Sequence, residues 1–220
     1  GGVLSETSSR STVAGGTRND KWFLYYSITA FLLGTDFAVK FTLHADSSSD
    51  QNAVTSLGLI ENHSVGNDLF AERTAGEKVY TVQTFEDAAT TFFLLDEFDG
   101  LVLLNRDFLI GPENPTYYFE WIKAAANSMT LDAWTDSGKG THVSGFPLTT
   151  TITNNIEMHN FMPVSSLDDT GGAAGYNGFI ENMTADFGGV PVVSNVLVGG
   201  GLGGDDVLME DKLGGMFGGF

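Results

Sequence analysis

Alternation of apolar and polar side chains in residues 117–136 constrains the fold of this chain more than any other feature. A period of two places successive side chains on opposite faces of a β-strand. The later strand of the tract has two sets of side chains: Met129, Leu131 and Ala133 on one face, and Ser128, Thr130, Asp132 and Trp134 on the other. The earlier strand alternates less cleanly: Tyr117, Phe119 and Trp121 share one face, and Tyr118, Glu120 and Ile122 share the other, so both faces of this strand are predicted to be partly covered. The tract therefore predicts two neighbouring strands of a sheet, of which the later one has a buried and a wet face.

Similar patterns recur along the chain and predict an all-β fold. Residues 36–44 alternate cleanly before a break at residues 45–50, and residues 22–33 are apolar almost throughout, too short for a bilayer span. Further strands are predicted at residues 55–61, 78–84, 91–95, 101–105, 142–144, 156–161 and 178–187. This pattern predicts roughly ten to twelve strands. No segment of a dozen residues shows a helical stripe, so we predict an antiparallel sandwich without a long helix.

Bulk composition agrees with one domain and restricts its partners. The 220 residues are 42% hydrophobic and include 17 Phe, which is enough for a core between two sheets. Cysteine is absent, so the sequence offers no disulfide, thiolate metal site or cysteine nucleophile. The net charge of −18 repels nucleic acid and anionic lipid, and we expect neither nucleic-acid binding nor membrane insertion. The chain begins with Gly1 and Gly2, and we expect an export signal to have been removed or never to have existed.

The two ends differ from the middle and are predicted to be arms. Residues 1–20 are rich in Gly, Ser and Thr, and residues 188–220 hold eleven of the 28 glycines. We predict an N-terminal arm at 1–20, a β-sandwich domain at 21–188 and a Gly-rich C-terminal arm at 189–220. Apolar residues interrupt the glycine pairs of this last arm: Val196, Leu197, Val198, Leu202, Val207, Leu208, Met209, Leu213, Met216, Phe217 and Phe220. These residues are predicted to contact a second copy of the chain, the alternative being that the arms wrap their own domain.

The order of the pieces resembles a known superfamily. The tract YYFEWIKAAANSMTLDAWTD, followed by TTITNNIEMHNFMPVSSLDDTGGAAGYNGFIENMTADF, resembles the laminin-G-like sandwiches of the concanavalin A-like lectin/glucanase superfamily. In those domains an aromatic-initiated strand leads into an x-T-L-x-h-[WY]-[ST]-D strand, here residues 129–136, and a closing G-x-h-x-x-h strand follows, here residues 178–183. The resemblance spans residues 21–188 and implies an antiparallel jelly-roll sandwich.

Catalytic constellations are incomplete. Retaining glucanases of this superfamily carry E-x-D-x-x-E on one strand, and here Glu97 and Asp99 have the right spacing, but Val102 stands in the third position. We interpret Glu97 and Asp99 as an acidic turn. His44, His63, His142 and His159 show no metal-ligand spacing and are predicted to lie on the surface or on polar faces. We therefore expect no enzymatic activity and no required cofactor.

Two kinds of binding remain as candidates. Calcium is the one ion retained, because Asp46, Asp50, Asp136, Asp168 and Asp169 are predicted to lie in oxygen-rich loops, although ordinary Asx turns are the favoured explanation of these residues. For carbohydrate, the candidates are Trp134 and Tyr176 as aromatic platforms, with Asp136 beside Trp134.

Two functional hypotheses follow from these features. The first is a non-enzymatic structural subunit of an extracellular self-assembling structure, such as a virion shell or fibre or a cell-surface filament or layer, joined by its arms into a homo-oligomer or polymer. The alternative is a carbohydrate-binding adhesion or attachment protein with glycans as partners. Both hypotheses place the chain outside the cell, on a virion or cell surface.

Overall fold

The structure is a computed structural model. It describes the backbone of residues 3–6, 12–16, 21–32, 37–48, 53–64, 67, 69–87, 90–112, 116–125, 127–153, 157–168, 174–186 and 192–200. Side chains are described for residues 37–43, 56–64, 67, 69–84, 90–111, 116–123, 127–153, 157–162 and 183–186.

Two antiparallel sheets form the described part of the chain. The strands are β1 (Val3–Glu6), β2 (Thr12–Gly16), β3 (Lys21–Leu32), β4 (Ala38–Ser48), β5 (Ala53–Ile60), β6 (Lys78–Asp87), β7 (Thr90–Asp99), β8 (Val102–Pro112), β9 (Thr116–Ala125), β10 (Ser128–Trp134), β11 (Leu148–Thr151), β12 (Glu157–Asp168), β13 (Ala174–Asp186) and β14 (Val192–Gly200). Sheet A has the order β1-β13-β4-β9-β10-β11, with β2 also pairing with β13. Sheet B has the order β14-β3-β12-β5-β6-β7-β8. The predicted all-β antiparallel sandwich is confirmed.

The hydrophobic core lies between the two sheets and follows the predicted alternation. Alternate residues of β10 are buried, and Met129, Leu131 and Ala133 are all 0% exposed. Large aromatic side chains from both sheets meet there, as where Phe93 of β7 packs edge-on against Tyr117 of β9, with ring centroids 4.9 Å apart. The inward face predicted for Met129, Leu131 and Ala133 is confirmed, and in β9 the buried face is the one that carries Tyr117, Phe119 and Trp121.

Two predicted strand boundaries are wrong, because pairing with a neighbouring strand, and not the local pattern alone, decides where a strand forms and ends. The break predicted at residues 45–50 begins too early, since β4 continues to Ser48 by pairing with β13. The strand predicted at residues 142–144 is absent from that described segment, where only the isolated bridges Trp134–His142 and Ser144–Phe146 form.

A short helix was not predicted. Helix α1 (Leu69–Ala75) lies on the outer face of sheet B, where Leu69 joins Ile60, Val79 and Met162 in a small second cluster. Seven residues with only Leu69 and Glu72 buried carry no periodic stripe, and a helix this short forms only because a surface supports it. No helix among the described residues is long and apolar enough to cross a membrane.

Parts of both predicted arms are strands of the chain's own sheets. In sheet A, β1 and β2 pair with β13, and in sheet B, β14 pairs with β3. Val196, Leu197 and Val198 lie in β14 opposite Tyr26, Tyr25 and Leu24. The remaining predicted assembly residues, Leu202, Val207, Leu208, Met209, Leu213, Met216, Phe217 and Phe220, lie outside the described residues. The domain boundaries at residues 20 and 188 stay a prediction.

Two polar residues, Glu97 and His63, have buried side chains although the sequence predicts a turn for the first and a surface or polar-face position for the second. Glu97 lies within β7, not in a turn, and is 0% exposed, whereas Asp99 ends the same strand and is exposed. His63 is buried, with Nδ1 2.6 Å from Oε1 of the buried Glu72, and burial lowers the pKa of His63. His142 and His159 are each 43% exposed, as predicted for polar-face histidines.

Candidate functional site

The outer face of sheet A carries the residues most suited to binding. Because alternate residues of β9 and β10 fill the core, the remaining side chains point away from it, and Tyr118, Glu120, Asp132 and Trp134 are all half-buried. This arrangement leaves aromatic and charged groups side by side on an open sheet surface.

Strand register sorts these side chains into two rows across the sheet. In one row Trp134 is opposite Tyr118, which is opposite Thr42 of β4. In the next row on the same face Asp132 is opposite Glu120, which is opposite Lys40. Directly opposed residues of an antiparallel pair have Cβ atoms about 5 Å apart, so each row is a set of neighbours. The first row is mainly aromatic and the second is charged.

The loop after β10 is shaped by Asp136. Its Oδ1 accepts a hydrogen bond from the backbone N–H of Gly140 at 3.0 Å, and its Oδ2 accepts one from the N–H of Thr141 at 2.5 Å. These backbone donors hold the pKa of Asp136 below its ordinary value. Asp136 therefore acts on the conformation of its own loop, which places Lys139 in the left-handed region at a φ of 57°.

Lys139 and His142 fix the surroundings of Trp134. The ammonium nitrogen of Lys139 lies 4.3 Å from the centroid of the Trp134 ring. The His142 ring packs edge-on against the same indole, with centroids 5.8 Å apart at 76°. His142 Nε2 is 2.5 Å from Oδ1 of Asp132, so one imidazole contacts both rows. The indole is thus held in a defined position at the end of β10.

Glu120 is the electrostatic centre of the charged row. Its Oε2 accepts a hydrogen bond from Nζ of Lys139, and its Oε1 lies 3.2 Å from Nζ of Lys40. Partial burial alone would raise the pKa of Glu120, but the hydrogen bonds from Lys139 and Lys40 outweigh it and lower the pKa. Glu120 is consequently ionised at neutral pH.

The structure brings together two of the three predicted carbohydrate-binding residues. Trp134 and Asp136 lie at the same end of β10, whereas Tyr176 lies in β13 opposite Ser48 of β4. The aromatic row meets β4 at Thr42, which is six positions from Ser48. Six residues of strand correspond to roughly 20 Å, so the Tyr176 backbone lies well away from Trp134. The side chain of Tyr176 is outside the described part.

The predicted calcium ligands do not share one described loop. Asp46 lies within β4 of sheet A, and Asp168 is the last residue of β12 in sheet B, so neither is in the loop expected for it. Asp50 and Asp169 lie outside the described residues. Within the described part of the chain, no group of three His, Asp or Glu side chains is arranged to hold a metal ion.

Sequence reasoning placed Asp132 on a wet face and Glu120 on a partly covered one, but it did not recognise them as one site, and it missed Lys40, Tyr118, Lys139 and His142. Alternation along β4, β9 and β10 was a usable signal for the strand residues, since each is outward in its own strand. Nothing in the local sequence shows that the loop residues Lys139 and His142 turn back over Trp134 and Asp132.

Comparisons with known proteins show the fold. A scan against models of protein families finds no match, and a search of curated proteins finds none either. Among solved structures, the legume lectin-like domain from Entamoeba histolytica is similar with a TM-score of 0.52 at 10% identity, over 80% of this chain and 82% of that one. The carbohydrate recognition domain of Emp47p is similar with a TM-score of 0.53 at 12% identity, over 84% and 88% of the two chains. The exoplasmic/lumenal domain of VIP36, in its metal-free form, has a TM-score of 0.50 at 9% identity, over 89% and 90%.

The chain is thus a two-sheet antiparallel sandwich with the fold of legume lectin-like domains. Its fold is the concanavalin A-like sandwich, and the resemblance drawn from residues 117–136 and the later strands is confirmed at the level of the fold.

Proposed function

We propose that this protein binds carbohydrate through the outer face of sheet A around Trp134. The observation that carries the proposal is the half-buried indole of Trp134, held by His142 beside the row formed by the ionised Glu120 and the Asp132 side chain opposite it. Aromatic rings offer a flat apolar surface to the C–H face of a sugar, and a few fixed polar groups orient its hydroxyls. The carbohydrate recognition domain of Emp47p shares this fold, which supports the proposal.

A binding role is favoured over catalysis by the position of Glu97. Of the two carboxylates that match the glucanase spacing, Glu97 is fully buried and accepts hydrogen bonds from Asn105 and from the backbone N–H of Thr153. A buried carboxylate engaged in this way is not accessible to a polysaccharide. We therefore propose a non-enzymatic function.

Self-assembly through the arms is less well supported than carbohydrate binding. The hypothesis required arms that reach a neighbouring copy, but β1, β2 and β14 pair with strands of the same chain. We propose an extracellular or lumenal location for the protein. The exoplasmic/lumenal domain of VIP36, which has the same fold, supports this location.

Binding to a glycan array, followed by titration calorimetry with the glycan that gives the strongest signal, tests the proposal. Replacing Trp134 with alanine should lower the affinity by at least about tenfold, because the aromatic platform is lost. Phe108→Ala is the matched control, since Phe108 is an aromatic residue 55% exposed on the opposite sheet. Equal affinities for wild type and Trp134→Ala, or no bound glycan at all, would contradict the proposal.

A further inference from the structure

The ammonium group of Lys139 already occupies a place suited to a cation. It lies 4.3 Å from the centroid of the Trp134 ring and donates a hydrogen bond to Oε2 of Glu120. The face of an indole attracts a cation through its quadrupole, and a carboxylate alongside adds a charge-assisted hydrogen bond. The contacts of Lys139 therefore indicate that this position stabilises an ammonium group.

A second carboxylate borders the same position. Asp132 is directly opposite Glu120 across the β9–β10 pair. Its Oδ1 contacts His142 Nε2 and accepts a hydrogen bond from the N–H of Ala133 at 2.9 Å. No described residue donates a hydrogen bond to its Oδ2, and the Asp132 side chain is 27% exposed. An acceptor oxygen is therefore available on the strand adjacent to Glu120, the residue that accepts the hydrogen bond of Lys139.

Lys139 can leave without disturbing either sheet. It belongs to the loop between β10 and the segment leading to β11, and its side chain is 37% exposed. An ion pair as exposed as Lys139–Glu120 contributes little to stability, so its replacement by another cation costs little. When Lys139 moves away, Glu120 and Asp132 face a single lysine, Lys40, which lies 3.2 Å from Glu120. The vacated position is then flanked by more carboxylates than lysines.

We propose that the site selects sugars that bear a free amino group, whose ring packs against Trp134 and whose ammonium replaces that of Lys139 beside Glu120, with Asp132 on the adjacent strand. The inference depends on the proposed carbohydrate binding, because it names the ligand class of that same site. Deacetylated amino-sugar oligomers have the required chemistry: a ring with an apolar face for the indole and an ammonium for the carboxylates. Their N-acetylated counterparts keep the ring and lose the charge.

The experiment compares short glucosamine oligomers with N-acetylglucosamine oligomers of equal length by titration calorimetry. Wild-type protein should prefer the glucosamine oligomers by about threefold, because their ammonium takes over contacts that Lys139 already makes and gains only the neighbouring carboxylate of Asp132 in addition. Lys139→Asn removes the competing ammonium, and asparagine tolerates the positive φ of this position, so its affinity for glucosamine oligomers should rise several-fold. Glu120→Gln should abolish the preference.

A matched variant separates specific recognition from attraction to an acidic protein. Glu61→Gln changes the net charge equally but removes a carboxylate paired with Lys78 on sheet B, and it should leave the preference unchanged. Equal losses in Glu120→Gln and Glu61→Gln would overturn the inference. Binding of acetylated and free-amine oligomers with equal, Trp134-dependent affinity would overturn the inference but leave the proposed function standing. Failure of every glycan to bind would overturn both.

Discussion

At the scale of single residues, the buried carboxylate of Glu97 connects neighbouring strands and a loop through hydrogen bonds. Glu97 accepts hydrogen bonds from the Tyr80 hydroxyl at 3.2 Å, from Asn105 Nδ2 at 2.5 Å and from the backbone N–H of Thr153 at 2.8 Å. Burial, followed by the nearby charge of Glu97, raises the pKa of Tyr80, so its hydroxyl remains a donor at neutral pH. One carboxylate thus connects β6, β7 and β8 with the segment that follows β11.

Glu97→Ala should lower the free energy of unfolding by about 3 kcal/mol, because it removes the acceptor shared by several partly buried donors. Urea denaturation followed by circular dichroism measures the change. Asp99→Ala is the control, since Asp99 lies two residues along the same strand and is exposed. A similar loss of stability in both variants would contradict a special role for Glu97.

At the scale of elements, helix α1 packs on sheet B because β5 has no side chain at Gly58. A Cβ built on Gly58 would lie 2.9 Å from Cδ2 of Leu69 and 2.9 Å from the carbonyl oxygen of Tyr80. The leucine methyl can rotate away, but the carbonyl belongs to the neighbouring strand and is fixed by its pairing. Glycine at position 58 therefore avoids a clash both with the backbone of β6 and with Leu69 of α1.

Gly58→Ala should destabilise the protein by about 2 kcal/mol, the usual cost of adding a methyl group to a filled space. Thermal and urea unfolding measure the effect. Gly140→Ala provides a comparison, because the nearest atom to its added Cβ is 3.6 Å away in Asp136, an ordinary contact distance. Unchanged stability in Gly58→Ala would show that α1 does not pack as described.

At the scale of the whole molecule, net charge opposes the folded state. The chain carries 28 Asp and Glu against ten Lys and Arg, a net charge of −18. Compact states bring like charges together, and the resulting repulsion weakens with ionic strength because the Debye length shortens. Individual ion pairs such as Lys40–Glu120 are exposed and lose little on screening.

Raising NaCl from about 20 to about 200 mM should increase the melting temperature by a few degrees, since screening reduces repulsion more than it weakens surface ion pairs. Scanning calorimetry measures the shift. CaCl2 at matched ionic strength should give the same increase if no specific calcium site forms. A larger, saturable increase of the melting temperature with CaCl2, absent in Asp50→Asn, would support the calcium prediction. A fall of the melting temperature with NaCl would contradict the repulsion argument.

Terminal strands show where local sequence patterns stop being informative. Residues 3–6, 12–16 and 192–200 read as low-complexity arms, yet they form β1, β2 and β14. Glycine-rich segments have weak intrinsic strand preference, so only an available sheet edge makes them pair. The edges of β13 and β3 exist only once the sheets have assembled, so the sequences of the arms do not predict that they pair there.

Alternation by itself determined the strands of residues 117–136 and the buried face of the later one, because side-chain direction in a strand is a local property that repeats every two residues. Tertiary structure decided the rest. Three contacts depend on which strands become neighbours and in what register. They are the hydrogen bond from Lys139 to Glu120, the row that runs from Asp132 through Glu120 to Lys40, and the hydrogen bond from the backbone of Thr153 to the buried Glu97. Register is chosen by the packing of the whole core, and for that reason no single stretch of the chain encodes it.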